Sequence, residues 1–143
     1  VDRDFLFRVY ASTRDDLAVL PWPDETKEAF LRQQFDARTR DYEARFAEAR
    51  PAVVLRDGEP VGQLWVSRSQ EEVRMLDVAL LPEHRGAGVG TSLVVDLLAE
   101  GRAQRLPVRL HVRVDSPARR LYERLGFHPV GAADVYQMME SCA

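Results

Sequence analysis

The sequence predicts an α/β (α+β) fold, with a mixed, mostly antiparallel central sheet and helices on both of its faces. Two strand-like runs, 52–56 and 61–67, flank Asp57-Gly58, a dipeptide that favours a two-residue hairpin turn. A third apolar run, 73–81, leads through a glycine-rich turn into a helical pattern and then into another alternating run, the order of a β-α-β crossover. End to end the elements read β-α-α-β-β-β-α-β-α-β-β. Hairpins combined with crossovers give a mixed sheet covered on both faces.

Taken in order, Phe5 to Tyr10 alternates and carries aromatics, which predicts an opening strand. Thr13 is a candidate N-cap, with Asp15 and Asp16 where a helix start favours negative charge. That short helix runs through Leu20 and stops at Pro21-Trp22-Pro23. The longest helical pattern follows, from Asp24 to about Ala49, with Leu31, Phe35, Tyr42 and Phe46 as its apolar stripe and Pro51 beyond its end. After the hairpin, the run from Val73 to Leu81 is apolar except at Arg74 and Asp77, as a central strand requires. Val89, Leu93 and Leu97 share one face of a helix that ends near Gly101. Val108, Leu110, Val112 and Val114 alternate with Arg109, His111 and Arg113 in a further strand. Ser116-Pro117 opens a last helix and Gly126 closes it. Strands over 127–130 and 135–139 finish the chain.

The 143 residues suit one domain spanning 1–143, with no repeat or low-complexity tract. Formal charge is −3, which argues against a general nucleic-acid binder, and Lys27 is the single lysine among twenty basic residues. The one cysteine, Cys142, allows no intrachain disulfide, so a reduced cytoplasm is the expected location. No apolar stretch approaches the ~20 residues of a membrane span, and Val1-Asp2-Arg3-Asp4 does not resemble a signal peptide. No metal site is assigned.

The most informative segment is 80–91. A buried strand enters a Pro82 turn, then Gly86, Gly88 and Gly90 alternate ahead of a helix, with Arg85 just before them. Glycines let backbone approach a ligand closely, and a helix start offers free N–H groups to an anion. Arg85 adds a fork of donors suited to phosphate oxygens. A P-loop is excluded because no lysine is near. A dinucleotide fingerprint is excluded because Thr91 stands where its third glycine belongs.

Arg85-Gly86-Ala87-Gly88-Val89-Gly90 resembles the [RQ]-x-x-G-x-[GA] acetyl-CoA loop of the GNAT superfamily of N-acetyltransferases. Ala118-Arg119-Arg120-Leu121-Tyr122-Glu123-Arg124-Leu125-Gly126-Phe127 is similar to that family's A-x-x-L-Y-E-K-L-G-F element. The resemblance implies the GNAT-like acyl-CoA N-acyltransferase fold and direct transfer of an acetyl group from acetyl-CoA to an amine. It implies a pyrophosphate cradle over Arg85, Gly86, Ala87, Gly88, Val89, Gly90 and Thr91, with Ala79, Leu80 and Leu81 along the pantetheine arm. Tyr122 matches the tyrosine that in many members protonates the departing thiolate. Asp115-Ser116 stands where many members carry Asn, which leaves Ser116 as the cofactor contact at that point.

The residues themselves support an acid and leave the base open. A phenol of pKa about 10 is protonated at neutral pH and suits a thiolate leaving group. Glu72, Asp77 and His111 are equal candidates for the base; Glu71 neighbours the first of these. Asp77 interrupts an apolar strand, where burial raises a carboxyl pKa. Trp22, Phe30, Gln34, Phe35 and Tyr136 are candidate acceptor contacts, with Asp36 and Tyr42 beside them, although an aromatic stripe is also what core packing requires. The acceptor reads as a primary amine of a small molecule; a protein N-terminus or lysine, and a non-catalytic acyl-CoA sensor, are the alternatives. The expected assembly is a monomer or homodimer, with no nucleic-acid or membrane partner.

Overall fold

The computed structural model describes residues 2–141, so Cys142 lies outside the described residues. The chain opens on a helix, α1 (Arg3–Ser12), and not on the strand that alternation over 5–10 predicts. The Asp2 side chain caps it, accepting the Phe5 N–H at 3.1 Å. Phe5 and Val9, one turn apart, pack against Leu81, while Leu6 and Tyr10, also one turn apart, pack with Phe7 and Phe35. Two adjacent helix faces are therefore buried. Their union reads as an apolar run broken only at Arg8, which hides the helical period.

The next helix shrinks to a single 3-10 turn, Asp15–Leu17. Thr13 does not start it, because its hydroxyl donates back to the Tyr10 carbonyl at 2.7 Å and closes α1. α2 (Asp24–Arg45) stops short of Ala49, since Phe46 turns extended and Ala49 already pairs with Ser67.

β1 (Ala49–Arg56) and β2 (Glu59–Arg68) form the expected hairpin. Asp57 and Gly58 both adopt positive φ, 52° and 80°, as a type I′ turn demands. β3 (Val73–Leu80), α3 (Val89–Gln104), β4 (Val108–Arg113), α4 (Ala118–Arg124), β5 (His128–Val130) and β6 (Tyr136–Glu140) complete the order. The sheet runs β1-β2-β3-β4-β6-β5, antiparallel except for the parallel β3–β4 pair. Helices α1 and α2 cover one face. Helices α3 and α4 cover the other, over a core that includes Val66, Val73, Met75, Val94, Leu110, Tyr122, Phe127 and Met139.

Two irregularities shape β3. Trp65 pairs with Asp77 and Val66 with Met75, so Leu76 is an extra residue, a bulge. Val73 and Met75 join the α3–α4 core, while beyond the bulge Val78 packs there and Asp77 turns toward α2. In addition, pairing between β3 and β4 ends at Met75–Leu110. The last five residues of β3, 76–80, run on without β4, and a gap opens through the sheet.

Candidate active site

A cavity of about 490 Å3 fills that gap on the α3–α4 side, lined by Val78, Ala79 and Leu80 of β3, by Arg85, Gly86, Gly88, Val89, Gly90 and Thr91, and by Leu121 and Tyr122 of α4. Gly88 is the N-cap of α3, with φ 83°, and no side chain caps the helix. The amides of Val89, Gly90 and Thr91 are therefore free at its positive end. Gly86, at φ 76°, and Gly88 need the left-handed region. Gly90 does not, and a Cβ there would meet no protein atom within 4 Å. Its lack of a side chain answers no demand inside the protein, so the cradle fits a bulky anion lying close to backbone.

Tyr122 lines this cavity, its hydroxyl has no hydrogen-bond partner among the described residues, and its ring packs edge-on against Phe127 at 5.7 Å. Burial, and then the nearby Asp77 charge, push the phenol above its ordinary value. Asp77 approaches from the other face. Its Oδ2 accepts Gln63 Nε2 at 2.9 Å and Arg38 Nη1 at 3.4 Å, while Oδ1 is held by no side chain. Burial pushes the Asp77 carboxyl up, opposed first by the Arg38 charge and by the hydrogen bond from Gln63. Burial and the Asp77 charge also push the neighbouring Tyr42 phenol up to about 12.

A second cavity, of about 850 Å3, opens on the α2 side of the same gap. Tyr42, Arg45, Phe46, Arg74, Leu76, His111, Asp134 and Tyr136 are among its walls. Met75 and Leu76 line this cavity and Val78, Ala79 and Leu80 the first; Asp77, between them along β3, is a wall of neither.

Residues 12–127 match the model of the acetyltransferase (GNAT) family. The chain belongs to the acetyltransferase (GNAT) family. It is 28% identical over 139 residues to the "putative ribosomal protein bS18-alanine N-acetyltransferase" of Bacillus subtilis (strain 168), covering 94% of this chain and 80% of that one. Among solved structures it resembles the PaiA N-acetyltransferase of Thermoplasma acidophilum, a complex with coenzyme A, with a TM-score of 0.69 at 15% identity, over 98% of this chain and 92% of that one. It also resembles Ard1 of Thermoplasma volcanium, with a TM-score of 0.62 at 25% identity and the same shares of the two chains. The acetyltransferase fold expected from the two motifs is thus present, six strands and four helices in the family's arrangement.

Several sequence-predicted residues stand elsewhere than expected. Glu72 is remote from Tyr122 and Asp77, near the opposite end of β3, where Arg74 Nε at 2.7 Å and Arg109 Nη1 at 3.0 Å occupy its oxygens. Burial works against its charge, but these two guanidiniums prevail and hold the carboxyl below the usual range. A carboxylate so committed is a structural ion-pair centre and a poor base. His111 lies in the second cavity. Burial, then Arg74 and Arg45, push its pKa down, and Nδ1 accepts Arg74 Nη1 at 3.2 Å. The ring is neutral with its proton on Nε2, and its one lone pair is taken.

Phe35 is buried at the α1–α2 contact and Trp22 meets Phe30 edge-on at 5.7 Å, so these aromatics pack and line neither cavity. Gln34, on α2, also lines neither, whereas Tyr136, and Tyr42 named beside the candidates, line the second cavity. Ser116 Oγ accepts the Ala118 amide at 3.2 Å just ahead of α4. Ala87 is exposed on the loop, and Leu81 is buried under α1. Arg85 lines the first cavity but folds back, Nε donating to the Leu80 carbonyl at 3.0 Å and Nη2 to the Ser12 carbonyl at 3.3 Å. Arg38 and Gln63 escape the sequence reading altogether. Gln63 carries one signal, an amide inside an otherwise apolar strand; Arg38, one of nineteen arginines, carries none.

Proposed function

We propose that this acetyltransferase uses acetyl-CoA as co-substrate and transfers the acetyl group directly to a primary amine, with Tyr122 as general acid and Asp77 as general base. One observation carries the reading: Tyr122 lines the first cavity, and Asp77, whose Oδ1 has no side-chain partner, is near enough for its charge to act on that phenol. The open amides of α3, with Arg85 beside them, suit the CoA pyrophosphate, and the unpaired edge of β3 offers its backbone to the pantetheine arm. Acetyl-CoA supplies a thioester carbon activated for attack. Asp77 Oδ1 takes the proton that the incoming amine must lose, and Tyr122 returns one to the departing sulfur. No covalent intermediate on the protein is required.

The acceptor enters by the second cavity, past Tyr42 and Tyr136. A small-molecule amine fits its volume. The second reading is a protein N-terminus, favoured by the name of the Bacillus subtilis relative and by the exposed wall of the cavity at Ala132, Ala133 and Asp134. Thiol release from acetyl-CoA, followed over a panel of small amines and of short peptides with free N-termini, tests both. Turnover on the first group supports the small-molecule reading and turnover on the second supports the protein reading. Acetyl-CoA binding with no turnover on any amine overturns the catalytic assignment.

A further inference from the structure

The Arg38 guanidinium is an unusual group to find beside a prospective base. It lies between α1 and α2 with its Cζ 4.6 Å from the Tyr10 ring centre and 5.5 Å from that of Tyr42, and Phe35 lies a little farther, at 6.0 Å. Its Nε and Nη2 are buried and have no acceptor among the described residues. Its one charged partner is Asp77, through Nη1 at 3.4 Å. Aromatic faces attract a cation but do not neutralise it, so the charge acts on the one carboxylate within reach. Gln63, fully buried, donates to the same oxygen of Asp77.

We propose that Arg38 is a positioning residue for the transfer. Together with Gln63 it pins Oδ2 of Asp77, holds the half-buried carboxylate ionised and leaves Oδ1 free for the reaction. The other groups facing Asp77 carry no charge. Tyr42 of α2 and Tyr122 of α4 are un-ionised phenols, Gln63 of β2 is an amide, and the Val78 amide of β3 is a weak additional donor. Arg38 is thus the one cation set against the cost of burying this charge. The inference rests on the reading of Asp77 as base, but its physical core can be tested apart from catalysis.

The experiment is a carbon-13 NMR titration of the Asp77 carboxyl in the full-length chain without ligand, in wild type, Arg38→Met and Arg38→Lys. In Arg38→Met the midpoint is expected to rise by about one pH unit or more, as loss of an opposite charge at this range implies. Arg38→Lys is expected to return most of the shift, and the acidic limb of kcat/KM to follow the titration in each variant. An unchanged midpoint in Arg38→Met overturns the proposal. Should that variant not fold, Arg38→Gln, polar but uncharged, decides on the same criterion. If the midpoint moves while Asp77→Asn keeps full turnover, the assignment of Asp77 as base fails and the control of its charge by Arg38 stands.

Discussion

Asp77 and Tyr122 project from opposite faces of the sheet, yet the charge on the carboxylate reaches the phenol and, after burial, is the second cause of its raised pKa. Pairing between β3 and β4 ends at Met75–Leu110, so β4 does not run beside Asp77. In the proposed mechanism the two residues act on either side of the transferred group, one taking a proton and the other giving one.

Replacing the phenol tests the acid. Tyr122→Phe is expected to lower kcat by about tenfold or more and to leave CoA affinity within about twofold, since the ring still packs on Phe127. Because burial and Asp77 push the phenol up, it stays protonated throughout the neutral range, and the acidic limb of the profile should persist in the variant. Calorimetry with CoA and steady-state kinetics check both halves.

Asp77→Asn removes the base while keeping the side chain's size. A fall of about a hundredfold in kcat/KM at neutral pH is expected. In the wild type, activity rises as pH passes upward through the Asp77 value, which lies above the ordinary 3.8. That rise should vanish in the variant, and a pH–rate profile reads it directly.

Glu72 separates structure from chemistry. Its side chain is 16% exposed and its carboxylate takes charged hydrogen bonds from Arg74 and Arg109. Glu72→Gln is expected to cost about 2 kcal/mol of stability, with turnover within about twofold of wild type. The folded-state pKa is depressed, so the contribution is fully present above the ordinary glutamate value of 4.5. It is lost as pH falls through the lower, folded value. Urea unfolding at neutral pH and at acid pH, set beside thiol release, tests both claims.

Gly90→Ala should uncouple folding from binding. The residue is helical, with open space where a Cβ would stand, so alanine is expected to raise stability by about 0.5–1 kcal/mol. The acetyl-CoA loop pattern admits alanine at this position, so CoA affinity is expected to stay within about twofold of wild type. Thermal melting and calorimetry give the two readouts.

Much of this architecture is legible in the residues. Asp57-Gly58, the apolar run from Val73, the glycines before α3 and the run from Ala118 to Gly126 identify the hairpin, the central strand, the turn into α3 and the helix α4, because each rests on local backbone or helix-terminus physics. α1 is misread since burial of two adjoining helix faces erases the period. Glu72, Asp77 and His111 are indistinguishable in one dimension, for what separates them is which guanidiniums they meet. Those partners come from Arg38, Arg74 and Arg109, and in the case of Arg38 from 39 positions away.

The bulge at Leu76 amounts to a change of phase along a two-state code. Upstream, odd-numbered positions of β3 face the α3–α4 core; downstream, even-numbered ones do, and Ala79 packs under α1. Were the count unbroken, Asp77 would follow Val73 and Met75 into the α3–α4 core, where a carboxylate has neither Arg38 nor Gln63 to receive it. Deleting Leu76 would leave Asp77 next to Met75 in plain alternation, still facing α2. The parity of Asp77 is thus fixed by its pairing with Trp65, and Leu76 is the residue that the strand accommodates to keep that pairing.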